Sequence, residues 1–118
     1  MFAYSGLVSI KFSNKNVQNI IYMDQIFNEC TSLVSLDLSN LNFSSLQTME
    51  GMFSECKNLI SVDFSNLNVP NLTFMDSMFS GCTNLLSLNF SNLYFPKIST
   101  MDNMLKECSN LLSLDFQI

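Results

Sequence analysis

MEGMFSECKNLISVDFSNLNVPNLTF, residues 49–74, decides the fold because it recurs. A shift of 26 residues superposes Met23, Met49, Met75 and Met101. The same shift superposes Cys30, Cys56, Cys82 and Cys108, and also Leu7, Leu33, Leu59, Leu85 and Leu111. A fixed period of this size marks a solenoid, since one unit cannot bury its apolar face alone and stacked neighbours bury it jointly. The 118 residues therefore count as about four and a half units of a single α/β solenoid over 1–118, not as an ordinary compact domain.

Two periodicities follow one another inside the unit. In SLVSLDLSN, residues 32–40, Leu36 and Leu38 alternate with Ser35, Asp37 and Ser39, the period of a half-buried strand. The same frame predicts parallel, in-register strands near 7–12, 33–38, 59–64, 85–90 and 111–116. A Ser-Asn turn follows each of the first four. Leu41, Phe43 and Leu46 then point inward along an irregular crossing. Pro70 and Pro96 lie in this crossing, where no ladder bond is needed. Met49, Met52, Phe53 and Cys56 stand at i, i+3, i+4 and i+7, which predicts a short helix. Helices are expected near 23–30, 49–56, 75–82 and 101–108, right-handed in their coil with the strands. Thr48 and Thr100 would cap them. Asp24, Glu50, Asp76 and Asp102 would meet the positive end of the helix dipole. Strands pack at ~4.8 Å and helices at about 8–10 Å, so the stack should curve with its strands on the concave face.

Composition narrows the function. Hydrophobic residues make up 47% of the chain, and the formal net charge is −5. Arg and His are absent, and Lys11, Lys15, Lys57, Lys97 and Lys106 are the whole basic complement. Phosphate neutralisation needs clustered cations, so nucleic acid and anionic membrane surfaces are poor partners. No apolar run is long enough for a membrane-spanning helix. MFAYSGLVSIKF at the start lacks the charged and apolar regions of a signal peptide. Neither end resembles a polar cap, so the chain is read as an uncapped segment of a longer protein.

The string M-x-x-M-F-x-x-C-x-x-L-x-S-L-D-x-S-N-L-N resembles the BspA-like leucine-rich repeat, the 26-residue repeat type of bacterial surface proteins. Such repeats occur in surface lipoproteins of mycoplasmas and other bacteria, and in protists. Leu33, Leu36 and Leu38 supply the L-x-x-L-x-L core of the likeness. In one respect the chain departs from ordinary leucine-rich repeats. Leu41, Leu67 and Leu93 stand where an Asn usually ladders, so Asn40, Asn66 and Asn92 would have to supply that support. The resemblance implies cell-surface or extracellular display, adhesion and protein binding, with no catalytic residues and no cofactor.

The chemistry-bearing residues agree. A nucleophilic Cys needs a base such as His, and none exists. Zinc sites need closely spaced ligand pairs, whereas these cysteines are 26 apart. Disulfides between units would require closer approach than helix spacing permits. Cys and Met therefore fill the core. The outward strand row is the candidate site: Lys11, Ser35, Asp37, Ser61, Asp63, Ser87, Asn89, Ser113 and Asp115, with Ser9 and Ser13 beside the lysine. It is either a rigid hydrogen-bonding platform for a protein or surface glycan, or a consensus that keeps the sheet soluble. The alternatives to a surface binding module are structural spacer repeats that display another domain, or an intracellular protein-interaction repeat. Strict alternation places a second stripe, Val8, Val34, Ile60, Leu86 and Leu112, in the core; if it instead reaches the concave rim, it is an exposed apolar patch suited to contact.

Overall fold

A computed structural model describes Gly6, Phe12 and residues 15–116, with side chains to Leu114. The expected strand near 7–12, with Ser9, Lys11, Ser13 and Val8, lies outside the described residues, apart from Phe12. The fold is a β-rich repeat of short parallel strands. β1 is Asn16–Val17, β2 Ser35–Asp37, β3 Asn42–Phe43, β4 Ser61–Asp63, β5 Ser87–Phe90 and β6 Ser113–Phe116. β2, β4, β5 and β6 form one sheet, and β1 pairs with β3. Every pairing is parallel and joins residues 26 apart, as in Leu36↔Val62 and Val62↔Leu88. Isolated bridges extend the same register. One series runs Asn42, Asn68, Tyr94, and another Tyr22, Thr48, Phe74, Thr100. Each unit thus lies on its neighbour as a rung, tied on three sides.

The expected strands near 33–38, 59–64, 85–90 and 111–116 are present in shortened form. The expected helices are not: residues 23–30, 49–56, 75–82 and 101–108 contain turns. Their backbone explains why. Gln25, Glu29, Gly51, Glu55, Ser77, Gly81, Asn103 and Glu107 all have positive φ. Two left-handed residues per unit interrupt any right-handed run. Alternate N–H groups instead leave the unit. Gln25, Phe27 and Glu29 donate to the carbonyls of Glu50, Met52 and Ser54 at 2.9, 3.0 and 2.9 Å. Between them, tight turns close locally, as in Cys30 N–H to the Phe27 carbonyl at 3.1 Å. Each left-handed non-glycine residue costs about 1–2 kcal/mol, and an inter-rung hydrogen bond returns about 0.5–1.5 kcal/mol.

This corner therefore meets its neighbour at hydrogen-bond distance, just as the strands do. The wedge that would have bent the stack is gone, and with it the ground for a concave strand face. Neither a helix dipole nor a cap is present for the Thr and acid residues to serve.

The core follows the sequence reading more closely. Met23, Met49, Met52, Met75, Met78 and Met104 are buried, as are Leu41, Phe43 and Leu46. Met101 is half-buried. Phe27, Phe53 and Phe79 stack in turn at 5.4 and 5.3 Å between ring centroids. Cys30, Cys56 and Cys82 are fully buried, Cys108 partly so, and none of the four is in a disulfide. The Sγ of Cys56, Cys82 and Cys108 donates to the carbonyl of Phe27, Phe53 and Phe79 at 2.9, 3.0 and 3.1 Å. The expected distance barrier to disulfides rested on helix spacing, and so loses its basis.

Candidate functional site

The strand face brings the expected residues together in ranks. Ser35, Ser61, Ser87 and Ser113 pair directly from rung to rung. So do Asp37, Asp63, Asn89 and Asp115. The strand places the backbone of Asp115; its side chain, like all of Lys11, lies outside the described residues. Ser35, Asp37 and Ser113 are exposed, whereas Ser61, Asp63, Ser87 and Asn89 are half-buried. Ser61, Asp63, Ser87, Asn89 and Ser113 border one shallow trough together with the neighbouring strand backbone.

The acid column also has local work. Asp37 Oδ1 accepts the Ser39 N–H at 2.9 Å and the Ser39 hydroxyl at 2.6 Å. Asp63 Oδ1 accepts the Ser65 N–H at 2.9 Å, and Asn89 Oδ1 the Ser91 N–H at 3.0 Å. These are side-chain turns that end the strand. They explain why Asn replaces Asp at 89 without loss, since both residues supply the same oxygen. Asn40, Asn66 and Asn92 follow with φ of 60°, 58° and 56°. Asn tolerates this left-handed corner better than most residues. Asn40, Asn66 and Asn92 therefore serve the turn through their backbone.

The asparagine ladder sits elsewhere. Asn42 Nδ2 donates to Asn16 Oδ1 at 3.4 Å, and Asn68 Nδ2 to Asn42 Oδ1 at 3.1 Å. The second Asn of SNLN was its sequence signal. A further column joins the corners. The Thr48 hydroxyl donates to Asp24 Oδ1, which also accepts the Glu50 N–H at 2.9 Å. Asp76 receives the Thr100 hydroxyl at 2.9 Å and the Asp102 N–H at 2.7 Å. Thr48 and Thr100 thus fasten one rung to the one before it.

The apolar stripe is the main correction to the site. Val34 and Ile60 are each 41% exposed, Leu86 38% and Leu112 82%. Alternation breaks at Val34–Ser35, where both side chains face outward. Ile60 and Leu86 donate their N–H groups to Val34 O and Ile60 O at 2.8 and 2.9 Å, so the stripe keeps the ladder register outside the core. Val34, Ile60 and Leu86 line a groove with Thr31, Asn58 and Asn110. Val8 lies outside the described residues.

Burial pushes the thiol of Cys56 up to about 12, with a hydrogen bond to the Cys30 backbone opposing the rise and the Cys30 thiol adding to it. Desolvation raises Cys82 further still, helped by Cys56 and Cys108. Cys108 is raised as well, again first by burial. Such thiols stay protonated near neutrality and make poor nucleophiles. Among the described residues, no group of three His, Cys, Asp or Glu side chains is placed to hold a metal ion. The outer surface can donate and accept hydrogen bonds, carry negative charge and offer apolar contact.

Residues 1–114 match the model of a family described as Mycoplasma protein of unknown function, DUF285. No curated protein matches the chain, and no solved structure matches it.

Proposed function

Because the chain belongs to the DUF285 family, which carries no assigned function, we propose from its geometry that it is a non-catalytic binding module. In this reading it is a β-solenoid segment of a surface protein, in keeping with the BspA-like string, and its partner is another protein. The observation that carries the proposal is the rung-to-rung alignment of Ser35, Ser61, Ser87 and Ser113 beside Asp37, Asp63 and Asn89. A partner laid across several rungs would meet the same groups at regular spacing on a backbone that needs no ordering. Preorganisation of this kind lowers the entropic cost of association. A spacer that only displays another domain would use the same rungs without needing their outer row.

The test must leave the strand-ending turns intact, so it uses the serines. Ser61→Lys with Ser87→Lys adds two positive charges that offset those of Asp37 and Asp63, while Asp63 and Asn89 keep their turn bonds. Binding of the labelled chain to immobilised extracellular proteins should fall at least ten-fold, with the thermal midpoint unchanged. Equal binding by variant and parent at equal stability would reject the strand face and favour the spacer.

A further inference from the structure

We propose that Cys82 and Cys108 together capture one copper(I) ion, held in line between their sulfurs and joining two rungs. This inference concerns the corner column and does not rest on the protein-binding reading of the strand face. The sulfurs repeat as the rungs do. Cys82 Sγ lies against the Phe53 carbonyl at 3.0 Å, and Cys108 Sγ against the Phe79 carbonyl at 3.1 Å. The two side chains therefore hold the same pose, displaced by one rung. Phe79 and Gly81 fix that displacement, donating their N–H groups to the carbonyls of Met104 and Lys106 at 2.9 Å each. Side chains at equivalent corner positions follow it closely, since the Phe53 and Phe79 rings stack 5.3 Å apart with planes 4° from parallel. Rungs joined in this way repeat at roughly 5 Å, so the two sulfurs face each other at about that distance.

That separation selects the occupant. A metal–thiolate bond is about 2.3 Å long, so two of them in line span about 4.6 Å. A disulfide would need the sulfurs about 2 Å apart and the Cβ atoms within about 4.5 Å, closer than two side chains in the same pose on successive rungs. Among the described residues no third Cys, His, Asp or Glu completes a metal-binding group. Zinc takes four ligands and so finds no site here. Calcium and magnesium take oxygen. Soft thiolates select copper(I), and two opposed sulfurs satisfy it. On binding, both S–H bonds break and two Cu–S bonds form; the two protons pass to the buffer and copper keeps its oxidation state. Coordination deprotonates a thiol even where burial favours the S–H form. Cys108 is the point of entry, because it is half-buried while Cys30, Cys56 and Cys82 are closed off from solvent.

The experiment titrates the whole chain, reduced and free of oxygen, with copper(I) supplied as its bicinchoninate complex. The chain should withdraw about one equivalent, and the X-ray absorption spectrum of the bound copper should show two sulfur neighbours. Cys108→Ser, at the half-buried position, should take up copper at least ten-fold more weakly with its circular dichroism unchanged. Silver(I), a redox-inert ion with the same preference, should compete, and excess zinc should not. No uptake, or undiminished uptake by Cys108→Ser, would overturn the proposal. Displacement by zinc, or a third sulfur neighbour in the spectrum, would overturn it too. A single sulfur neighbour would do the same, by reducing the site to a lone surface thiol. The sulfur count is read on the parent chain, so it decides the role of Cys82 even if Cys82→Ala does not fold.

Discussion

Asn68 donates its Nδ2 to Asn42 Oδ1 across 3.1 Å, while its own Oδ1 is buried and accepts nothing among the described residues. The next rung places Tyr94 opposite it, and the ladder of amides stops there. A buried acceptor without a donor costs about 1–3 kcal/mol. Tyr94→Asn should extend the ladder by one step, with little loss from an exposed ring. We expect stabilisation of about 1 kcal/mol, read as a higher urea midpoint. Tyr94→Ala is the comparison that removes the ring alone. An Asn variant no more stable than the Ala variant would show that the amide finds no partner.

Much of the fold was legible in the repeat. Period-2 alternation in LVSLDLSN placed the strands and their register, because one face of the sheet is buried and a one-residue slip would turn Leu36 outward. The helix was misread because two tight turns can present Met49, Met52, Phe53 and Cys56 to the core as well as a helix can. Gly51 and Gly81 were the available signal, since each occupies a left-handed position. Gln25, Ser77 and Asn103 mask the first of these positions in other units, and Glu29, Glu55 and Glu107 the second. The outward placement of Ser35 and Asp37 was legible in the alternation, whereas the stripe beside them reads as core first and exposed only as the alternative. An apolar residue next to a strand reads as core unless the chain bends there, and the sequence does not mark the bend at Val34–Ser35.

Gly81 offers a direct test of the corner geometry. Its φ is +79°, and a Cβ there would overlap the Glu55 carboxylate folded over it. Gly51 has φ +58°, but its added Cβ would meet the Gln25 Cγ at 3.3 Å, the stem of a flexible side chain. Gly51→Ala should cost about 1–2 kcal/mol from backbone strain. Gly81→Ala should cost about the same, because the Glu55 carboxylate is the far end of a flexible side chain and can swing aside. A much larger loss at Gly81 in guanidinium denaturation, recovered by Glu55→Ala in the same chain, would contradict this account of Glu55.

The buried thiols predict a one-sided pH dependence. Cys56 is raised to about 12 and Cys82 is raised as well, both first by desolvation. In the unfolded chain a thiol loses its proton near pH 8.5. The native state therefore holds protons that the unfolded state releases. The stabilisation is complete below that pH and is lost as pH climbs towards the folded values. Between pH 9 and 11 the fall should be about 1.4 kcal/mol per pH unit for each thiol. Denaturation curves across this range should show the parent weakening faster than Cys56→Ala/Cys82→Ala. Parallel slopes would mean that the thiols reach water in the native state. Prompt reaction of Cys56 with a thiol reagent at pH 8 would mean the same.

The corner column makes Asp24 and Thr48 partners across a rung boundary, since Asp24 accepts both the Thr48 hydroxyl and the Glu50 N–H. Thr48→Val removes one donor and keeps the shape of the side chain. It should cost about 1 kcal/mol. Asp24→Ala removes the acceptor for both donors and should cost more, about 1–3 kcal/mol with a charge-assisted bond lost. In the double variant the losses should fall short of their sum by about 0.5–1 kcal/mol, because the same bond cannot be lost twice. Full additivity would leave the threonine without a role in joining the rungs. The equivalent pair Asp76 and Thr100 lies two rungs nearer the last described strand, β6, and should show coupling of the same sign. A helix cap would behave otherwise. There Thr48→Val would destabilise its own unit, and its effect would be independent of Asp24.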